Sequence, residues 1–137
     1  MLSKSVLIDT NVLLDVFTDS PDWAEWSISK LEKYQSVATL KINAIIYSEL
    51  SVGFEKIEQL ENSLYVAGIK ISEIPREALF LAGKAFLKYR RQNKGTKSIT
   101  LPDFFIGAHG AVEKIPVLTR DPKRMKHYFP SLKVICP

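Results

Sequence analysis

Short runs of aliphatic and β-branched residues alternate along the chain with longer stretches of helical spacing. The apolar run of residues 5–8 ends at Asp9 and predicts a buried strand. Further strands are predicted near residues 41–43, at 69–71, at 116–119 and at 133–135. Strands that alternate with helices are typical of βαβ units and a parallel sheet, so we expect an α/β fold with four or five mostly parallel strands and helices on both faces.

The helical segments begin and end at recognisable signals. Ser20 and Pro21 predict an N-cap and first helical position, and Gly68 predicts the end of a helix in residues 57–67. Residues 75–92 give the clearest helix, because Ala78, Ala82, Ala85 and Tyr89 share one face. A basic loop is predicted over residues 90–97, then a helix rich in small residues that opens at 100–103, and Asp121 and Pro122 predict the start of a short last helix.

Composition limits the classes of protein that the chain can represent. Its 137 residues suit one domain over positions 1–137, with 46% hydrophobic and 25% charged residues. The single cysteine, Cys136, excludes a disulfide framework and a cysteine-based zinc cage. No apolar run approaches the roughly 18 residues of a membrane span, and the N-terminal segment does not resemble a signal peptide. A cytoplasmic domain without a membrane segment is expected.

Charge is divided unevenly along the chain. Residues 1–83 carry a net charge of −5 and residues 84–137 a net charge of +9. A basic half suggests a polyanionic partner such as nucleic acid, although a solvated basic face would have the same composition. The candidate contacts are Arg90, Arg91, Lys94, Lys97 and, beside an acidic residue, Arg120.

Four acidic residues stand at ends of predicted elements. Asp9 ends the first strand, Glu49 lies on a helix, Asp103 lies in the first turn of the small-residue helix, and Asp121 follows the strand at 116–119. Parallel strands carry their sites at their carboxyl ends, so Asp9 and Asp121 are expected to lie close together. Each acid also has a structural explanation: Asp9 and Asp121 as N-caps, Asp103 as a favourable charge in a first helical turn, and Glu49 as an exposed helix residue.

Converging carboxylates repel one another unless a cation joins them. Carboxylate oxygens without cysteine or histidine favour Mg²⁺ or Mn²⁺ over zinc. Such an ion activates water and stabilises the leaving oxygen in phosphodiester cleavage. The four acids therefore predict a divalent-metal site, with the basic half of the chain supplying phosphate contacts.

Taken in order, these segments resemble the PIN domain, and within it the VapC-like toxins of toxin–antitoxin pairs. Residues 8–11 (IDTN) are similar to the opening motif of that family, and residues 48–53 (SELSVG) to its second-acid helix. Residues 101–106 (LPDFFI) resemble the third-acid helix, and residues 118–121 (LTRD) the closing segment. Phe104 and Phe105 are bulkier than the usual small residues, and Met125 stands where an aromatic residue is commoner.

The resemblance implies a three-layer α/β/α sandwich and a Mg²⁺- or Mn²⁺-dependent endoribonuclease. It implies that Asp9, Glu49, Asp103 and Asp121 are the catalytic and metal-binding acids, with Asn11 and Thr119 as polar supports. It also implies a homodimer that an antitoxin inhibits by covering the active site. Arg120 and the residues of the basic loop are then candidates for contact with RNA or antitoxin.

Three other functions are compatible with parts of the same pattern. A phosphatase of the haloacid dehalogenase kind also begins with an aspartate at a strand end, but it requires a second aspartate where this chain has Asn11. A PIN-like module that binds RNA or protein without cutting is a second alternative, although all four acids are present. A PIN nuclease of housekeeping RNA processing is the third. His109, His127 and Cys136 are expected to be structural, and Asp15 and Asp19 to be solvated, with a position of Asp15 at the border of the site as the alternative.

Overall fold

The computed structural model of the chain describes residues 4–92 and 101–137. Within them, five parallel strands form one sheet in the order β3-β2-β1-β4-β5. The strands are β1 Ser5–Ile8, β2 Thr39–Ile42, β3 Lys70–Ile71, β4 Val117–Leu118 and β5 Val134–Ile135. The helices are α1 Thr10–Phe17, α2 Ala24–Gln35, α3 Ala44–Ser51, α4 Ile57–Val66, α5 Arg76–Gln92, α6 Leu101–Glu113 and α7 Lys123–Lys126. The α/β fold with a parallel sheet, predicted from the alternation of elements, is confirmed.

The direction of the chain across the sheet reverses between β1 and β4. From β1 the chain moves outward through β2 to β3, and it then returns to the other side of β1 to form β4 and β5. If the crossovers are right-handed, as they are in nearly all parallel sheets, this strand order puts α1–α4 on one face and α5–α7 on the other. In open sheets of this kind, ligands bind outside the carboxyl ends of the strands where the order reverses. That position lies at the ends of β1 and β4.

Burial on both faces explains the composition of β1. Leu7 and Ile8 are fully buried and Val6 nearly so, and Leu7 lies opposite Lys41 on one side and Val117 on the other. A central parallel strand covered by helices reads as a continuous apolar run, as this one does. In α5, the predicted face of Ala78, Ala82, Ala85 and Tyr89 is buried along its whole length.

Two helix starts differ from the sequence prediction. Helix α2 begins at Ala24, three residues after Pro21, because Trp23 has left the helical conformation (φ −126°) and acts as its N-cap. The carbonyl of Ser20 accepts a hydrogen bond from the N–H of Ala24, so the preceding turn is closed separately. Helix α7 begins one residue later than predicted, with Pro122 as its N-cap.

Small residues bring α6 close to the sheet. A Cβ atom at Gly107 would lie 2.6 Å from the ring of Phe129, and one at Gly110 would lie 2.7 Å from Leu132 and 2.8 Å from Val117. Neither space admits a larger side chain without movement of its neighbours. Gly110 therefore allows α6, which carries Asp103 in its first turn, to approach β4 closely, and Gly107 makes room for the ring of Phe129.

The unusual bulky residues of α6 and α7 point inward. Phe104 is 1% exposed and its ring lies 5.3–5.5 Å from those of Phe86, Tyr89 and Tyr128. Met125 is fully buried. These side chains fill the space between α5, α6 and α7. In the described part of the chain, no helix combines the length and the apolar character that crossing a membrane requires.

Candidate active site

Asp9 lies at the carboxyl end of β1, where the order of the strands reverses. Its carboxylate is 6% exposed and accepts two hydrogen bonds. The backbone N–H of Thr10 donates to Oδ1 at 2.8 Å, which caps α1, and the hydroxyl of Thr119 donates to Oδ2 at 2.7 Å. Asp9 is thus an N-cap, as one interpretation of the sequence held, and at the same time the central carboxylate of the crevice between β1 and β4.

The electrostatic environment of Asp9 opposes its ionisation. Its pKa is raised from 3.8 to about 6, chiefly because burial removes the carboxylate from water. The neighbouring carboxylates of Asp103 and Glu49 raise the pKa further, while the hydrogen bonds from Thr119 and Thr10 lower it. The carboxylates of Glu49 and Asp103, which come from two other elements, are therefore each close enough to that of Asp9 to repel it.

Thr10 connects two of these elements. Its hydroxyl donates to Oε1 of Glu49 at 2.6 Å, so that the first residue of α1 holds the carboxylate of α3. Helix α3 is in turn fixed by Asn43, whose side-chain oxygen accepts the N–H of Ile46. The sequence analysis did not identify Thr10 as a site residue. Its position directly after Asp9, at the start of a helix, was the available signal.

The segment after β4 reaches the same place. The hydroxyl of Thr119, which donates to Asp9, also accepts the N–H of Asp121 at 3.1 Å. Asp121 is half-buried, and Asp103 is 7% exposed in the first turn of α6. The structure thus brings Asp9, Glu49 and Asp103 together electrostatically and links the backbone of Asp121 to Asp9 through one threonine.

The donors fit a hard divalent cation that retains part of its hydration shell. In residues 4–92 and 101–137, no three acidic, histidine or cysteine side chains are grouped so as to hold a metal ion by themselves. Mg²⁺ is usually bound by one or two carboxylates, with waters and substrate oxygens as its other ligands. The coupled carboxylates of Asp9, Glu49 and Asp103 can supply that smaller number of ligands, and a cation would relieve their repulsion.

Comparison with protein families identifies the domain. The model of the PIN domain family matches residues 6–128. The chain belongs to the PIN domain family. The resemblance found in the sequence motifs is thereby confirmed, and the haloacid dehalogenase alternative is excluded. A comparison with curated proteins found no significant match.

Solved structures of similar fold cover nearly the whole PIN domain. VapBC2 from Rickettsia felis, bound to a DNA fragment from the promoter, matches with a TM-score of 0.71 and 20% identity over 96% of this chain and 98% of that chain. VapBC-1 from nontypeable Haemophilus influenzae has a TM-score of 0.69 and 16% identity over 96% and 97%. FitAcB from Neisseria gonorrhoeae has a TM-score of 0.64 and 19% identity over 95% and 96%. At these identities the similarity establishes the fold.

Arg120 is anchored within the PIN domain by an ion pair that the sequence analysis missed. Its Nε lies 2.8 Å from Oδ2 of Asp15, and its guanidinium lies 5.2 Å from the ring centroid of Trp23. Asp15 also accepts a hydrogen bond from the hydroxyl of Ser27 and is 4% exposed. The prediction that Asp15 is solvated was wrong, because this residue lies on the inner face of α1 and pairs with a residue 105 positions away.

The ion pair fastens the segment after β4 to α1 and α2. The backbone N–H of Arg120 also lies 3.5 Å from the side-chain oxygen of Asn11, at the limit of a hydrogen bond. Asn11 therefore supports the backbone next to Asp121, and Thr119 supports Asp9 directly. The predicted contact of Arg120 with RNA or antitoxin stays a prediction, since 31% of its side chain is exposed.

The other predicted basic contacts lie partly on a helix. Arg90 and Arg91 are exposed in the last turn of α5, which continues to Gln92, so the predicted loop begins later than residue 90. The guanidinium of Arg90 lies 5.9 Å from the ring centroid of Phe86. Lys94 and Lys97 fall outside the described residues.

His109 forms a buried connection between α6 and the end of β2. Asn43 uses its side-chain oxygen to cap α3, so its amide group donates to Nδ1 of His109 at 3.0 Å. Nε2 of His109 then donates to Glu113 at 2.6 Å. His109 is fully buried, which supports its predicted structural role. The hydrogen bond between Asn43 and His109 connects the start of α3, which carries Glu49, to α6, which carries Asp103.

Proposed function

We propose that this PIN domain is a divalent-metal-dependent endoribonuclease that hydrolyses RNA phosphodiester bonds with an activated water molecule. The observation that supports this most strongly is the burial of Asp9 beside the carboxylates of Glu49 and Asp103, in the crevice where the strand order reverses. A buried carboxylate with acidic neighbours is costly unless a cation compensates it. Catalytic residues are commonly found in such perturbed environments.

Asp9, Glu49, Asp103 and Asp121 are the residues that would hold Mg²⁺ or Mn²⁺. When bound, the ion supplies a nucleophilic water and stabilises charge on the phosphate and the leaving oxygen. The remaining steps depend on the chain itself. Thr119 orients Oδ2 of Asp9, and Thr10 orients Oε1 of Glu49, so each carboxylate has one oxygen held by a hydroxyl. Fixed ligands of this kind lose little freedom when they bind.

We further propose that the enzyme is the toxin of a toxin–antitoxin pair. The solved neighbours in Klebsiella pneumoniae, Rickettsia felis and Haemophilus influenzae are described as a toxin–antitoxin complex and as VapBC assemblies. By analogy, the partners are an antitoxin protein that covers the crevice and a second copy of this chain. Induced expression is expected to slow growth, and the Asp9→Asn variant is expected not to. Unchanged growth with the parent protein would favour a housekeeping nuclease.

Cleavage of single-stranded and structured RNAs by the purified protein tests the enzymatic part of the proposal. Cleavage is expected with Mn²⁺ or Mg²⁺ and not with a chelator, and Asp9→Asn is expected to reduce the rate by at least about 10²-fold, in the range of other essential catalytic groups. Asp22→Asn removes an equal charge at an exposed position and serves as the control. Circular dichroism verifies that both variants are folded.

Two outcomes would contradict the proposal in different ways. Cleavage by Asp9→Asn at the parental rate would show that the site is elsewhere. Binding of RNA without cleavage under either metal would favour the non-catalytic PIN-like module.

A further inference from the structure

A basic cavity lies directly beside the candidate active site. We call it the α7 pocket; it is an open depression with a volume of about 370 Å³, and it is lined by Pro122, Lys123, Lys126, His127 and Cys136. This volume is within the range of pockets that bind small molecules, roughly 300–1,000 Å³. The pocket begins at the residue after Asp121, the fourth acid. None of its residues was assigned to binding by the sequence analysis.

The parallel sheet places the α7 pocket and the acids at the same edge. Cys136 directly follows β5, and the N–H of Thr119, directly after β4, donates to the carbonyl of Ile135 at 3.0 Å. Asp9 follows β1, which pairs with β4 on the other side. Along this edge, Asp9 and Asp121 therefore lie at the ends of β1 and β4, and the pocket lies at the ends of β4 and β5. Neighbouring strands are about 4.8 Å apart, so the two sites are adjacent.

The lining of the pocket combines positive charge with flat apolar surface. Lys123, Lys126 and His127 are exposed, and the ion pairs found among residues 4–92 and 101–137 include neither lysine. Pro122 and Cys136 contribute surface without charge. A phosphate group with an attached base matches this combination, because lysine ammonium groups bind phosphate oxygens while the base stacks on rings.

We propose that the α7 pocket binds the nucleotide of single-stranded RNA that neighbours the scissile phosphate. Lys123 and Lys126 contact the phosphate of that nucleotide, and its base lies against Pro122 and His127. This inference rests on the proposed ribonuclease function for the position of the scissile phosphate. The proposed binding of the nucleotide does not depend on cleavage and is tested under conditions in which no RNA is cut.

The structure supplies a matched control at the opposite edge of the same strands. A cavity of about 320 Å³ is lined by residues that include Lys114 and Lys133, which precede β4 and β5. Both lysines are exposed, as in the α7 pocket. The double variants K123Q/K126Q and K114Q/K133Q therefore remove the same charge from two cavities of similar size. Only the first lies beside the acids.

The test measures binding of a short fluorescent single-stranded RNA by anisotropy, in a chelator and over a series of salt concentrations. K123Q/K126Q is expected to weaken binding roughly tenfold at 0.1 M salt. It is also expected to lower the slope of log affinity against log salt by about 0.7, since each phosphate neutralised on a single strand contributes about 0.7 and the two lysines contact one phosphate. K114Q/K133Q is expected to keep the parental slope.

Equal losses in both double variants would overturn the proposal, because they would show an effect of net charge alone. An unchanged slope in K123Q/K126Q would also overturn it. This holds equally if that variant loses affinity for an acidic peptide while its slope for RNA is unchanged. A failure of the ribonuclease proposal would give a different result from a failure of the pocket proposal. The parent protein would cut no RNA with either metal, but the salt slope of RNA binding would still depend on Lys123 and Lys126.

Discussion

Replacement of Asp9 by asparagine is expected to change the pH dependence of stability in the metal-free protein. The pKa of Asp9 is raised from 3.8 to about 6 in the folded chain, mainly by burial. The folded state then binds the proton more tightly than the unfolded state does. Stability from this group is fully present below the unfolded pKa and is lost as the pH rises through the folded pKa. The direction is opposite to that of an aspartate in a salt bridge.

The size of the effect follows from the two pKa values. A difference of about two units corresponds to about 3 kcal/mol, because one unit is 1.36 kcal/mol. Between pH 4 and pH 8 the unfolding free energy should fall by about 2.5 kcal/mol on account of Asp9, since part of the loss has already occurred by pH 4. The Asp9→Asn variant lacks this component. Relative to the parent, it should gain about 2.5 kcal/mol over the same interval.

Urea denaturation of both proteins at pH 4 and pH 8, in a chelator, measures this gain. The comparison between two pH values cancels the part of the substitution's effect that does not depend on the ionisation of Asp9, because that part is present at both. Asp22→Asn, an exposed substitution of equal charge, measures how much of the change comes from net charge alone. If the stability difference between Asp9→Asn and the parent is the same at both pH values, the pKa of Asp9 is not raised in the folded protein.

Three further predictions concern packing and polar contacts. Gly110→Ala should destabilise the protein by about 1–3 kcal/mol, because the added Cβ would lie 2.7 Å from its nearest neighbour. Gly83→Ala should stabilise the protein by about 0.5–1 kcal/mol, because Gly83 is exposed in a helix interior and its Cβ would have no neighbour within 4 Å. Thermal denaturation of the two variants measures both effects. Asp15→Asn should cost about 1–2 kcal/mol in urea denaturation, since Arg120 loses its carboxylate partner. Thr119→Val should destabilise more at pH 8 than at pH 4, because its hydroxyl favours ionised Asp9, and equal losses would contradict this.

Local pattern was sufficient for the elements whose burial is set by their own periodicity. The continuous apolar run of β1 and the four-residue spacing of Ala78 to Tyr89 in α5 each define a buried surface within one segment. The strand-end position of Asp9 was also visible, because a carboxylate that closes an apolar run is conspicuous. The start of α2 was not, since the conformation of Trp23 depends on how its ring packs.

The polar contacts of the site depend on the order of the strands, which neighbouring residues do not encode. Thr10 reaches Glu49 across 39 positions, and Thr119 reaches Asp9 across 110. The first contact follows from the pairing of β1 with β2, and the second exists because β4 returns to pair with β1 on the other side. The pairing of Asp15 with Arg120 arises from the same return of the chain, and the basic cavity beside Asp121 from the pairing of β5 with β4. Residue types and periodicity thus identified the acids, whereas the hydroxyl partners of Asp9 and Glu49 and the pairing of Asp15 with Arg120 followed from the strand order that brings distant segments to one edge of the sheet.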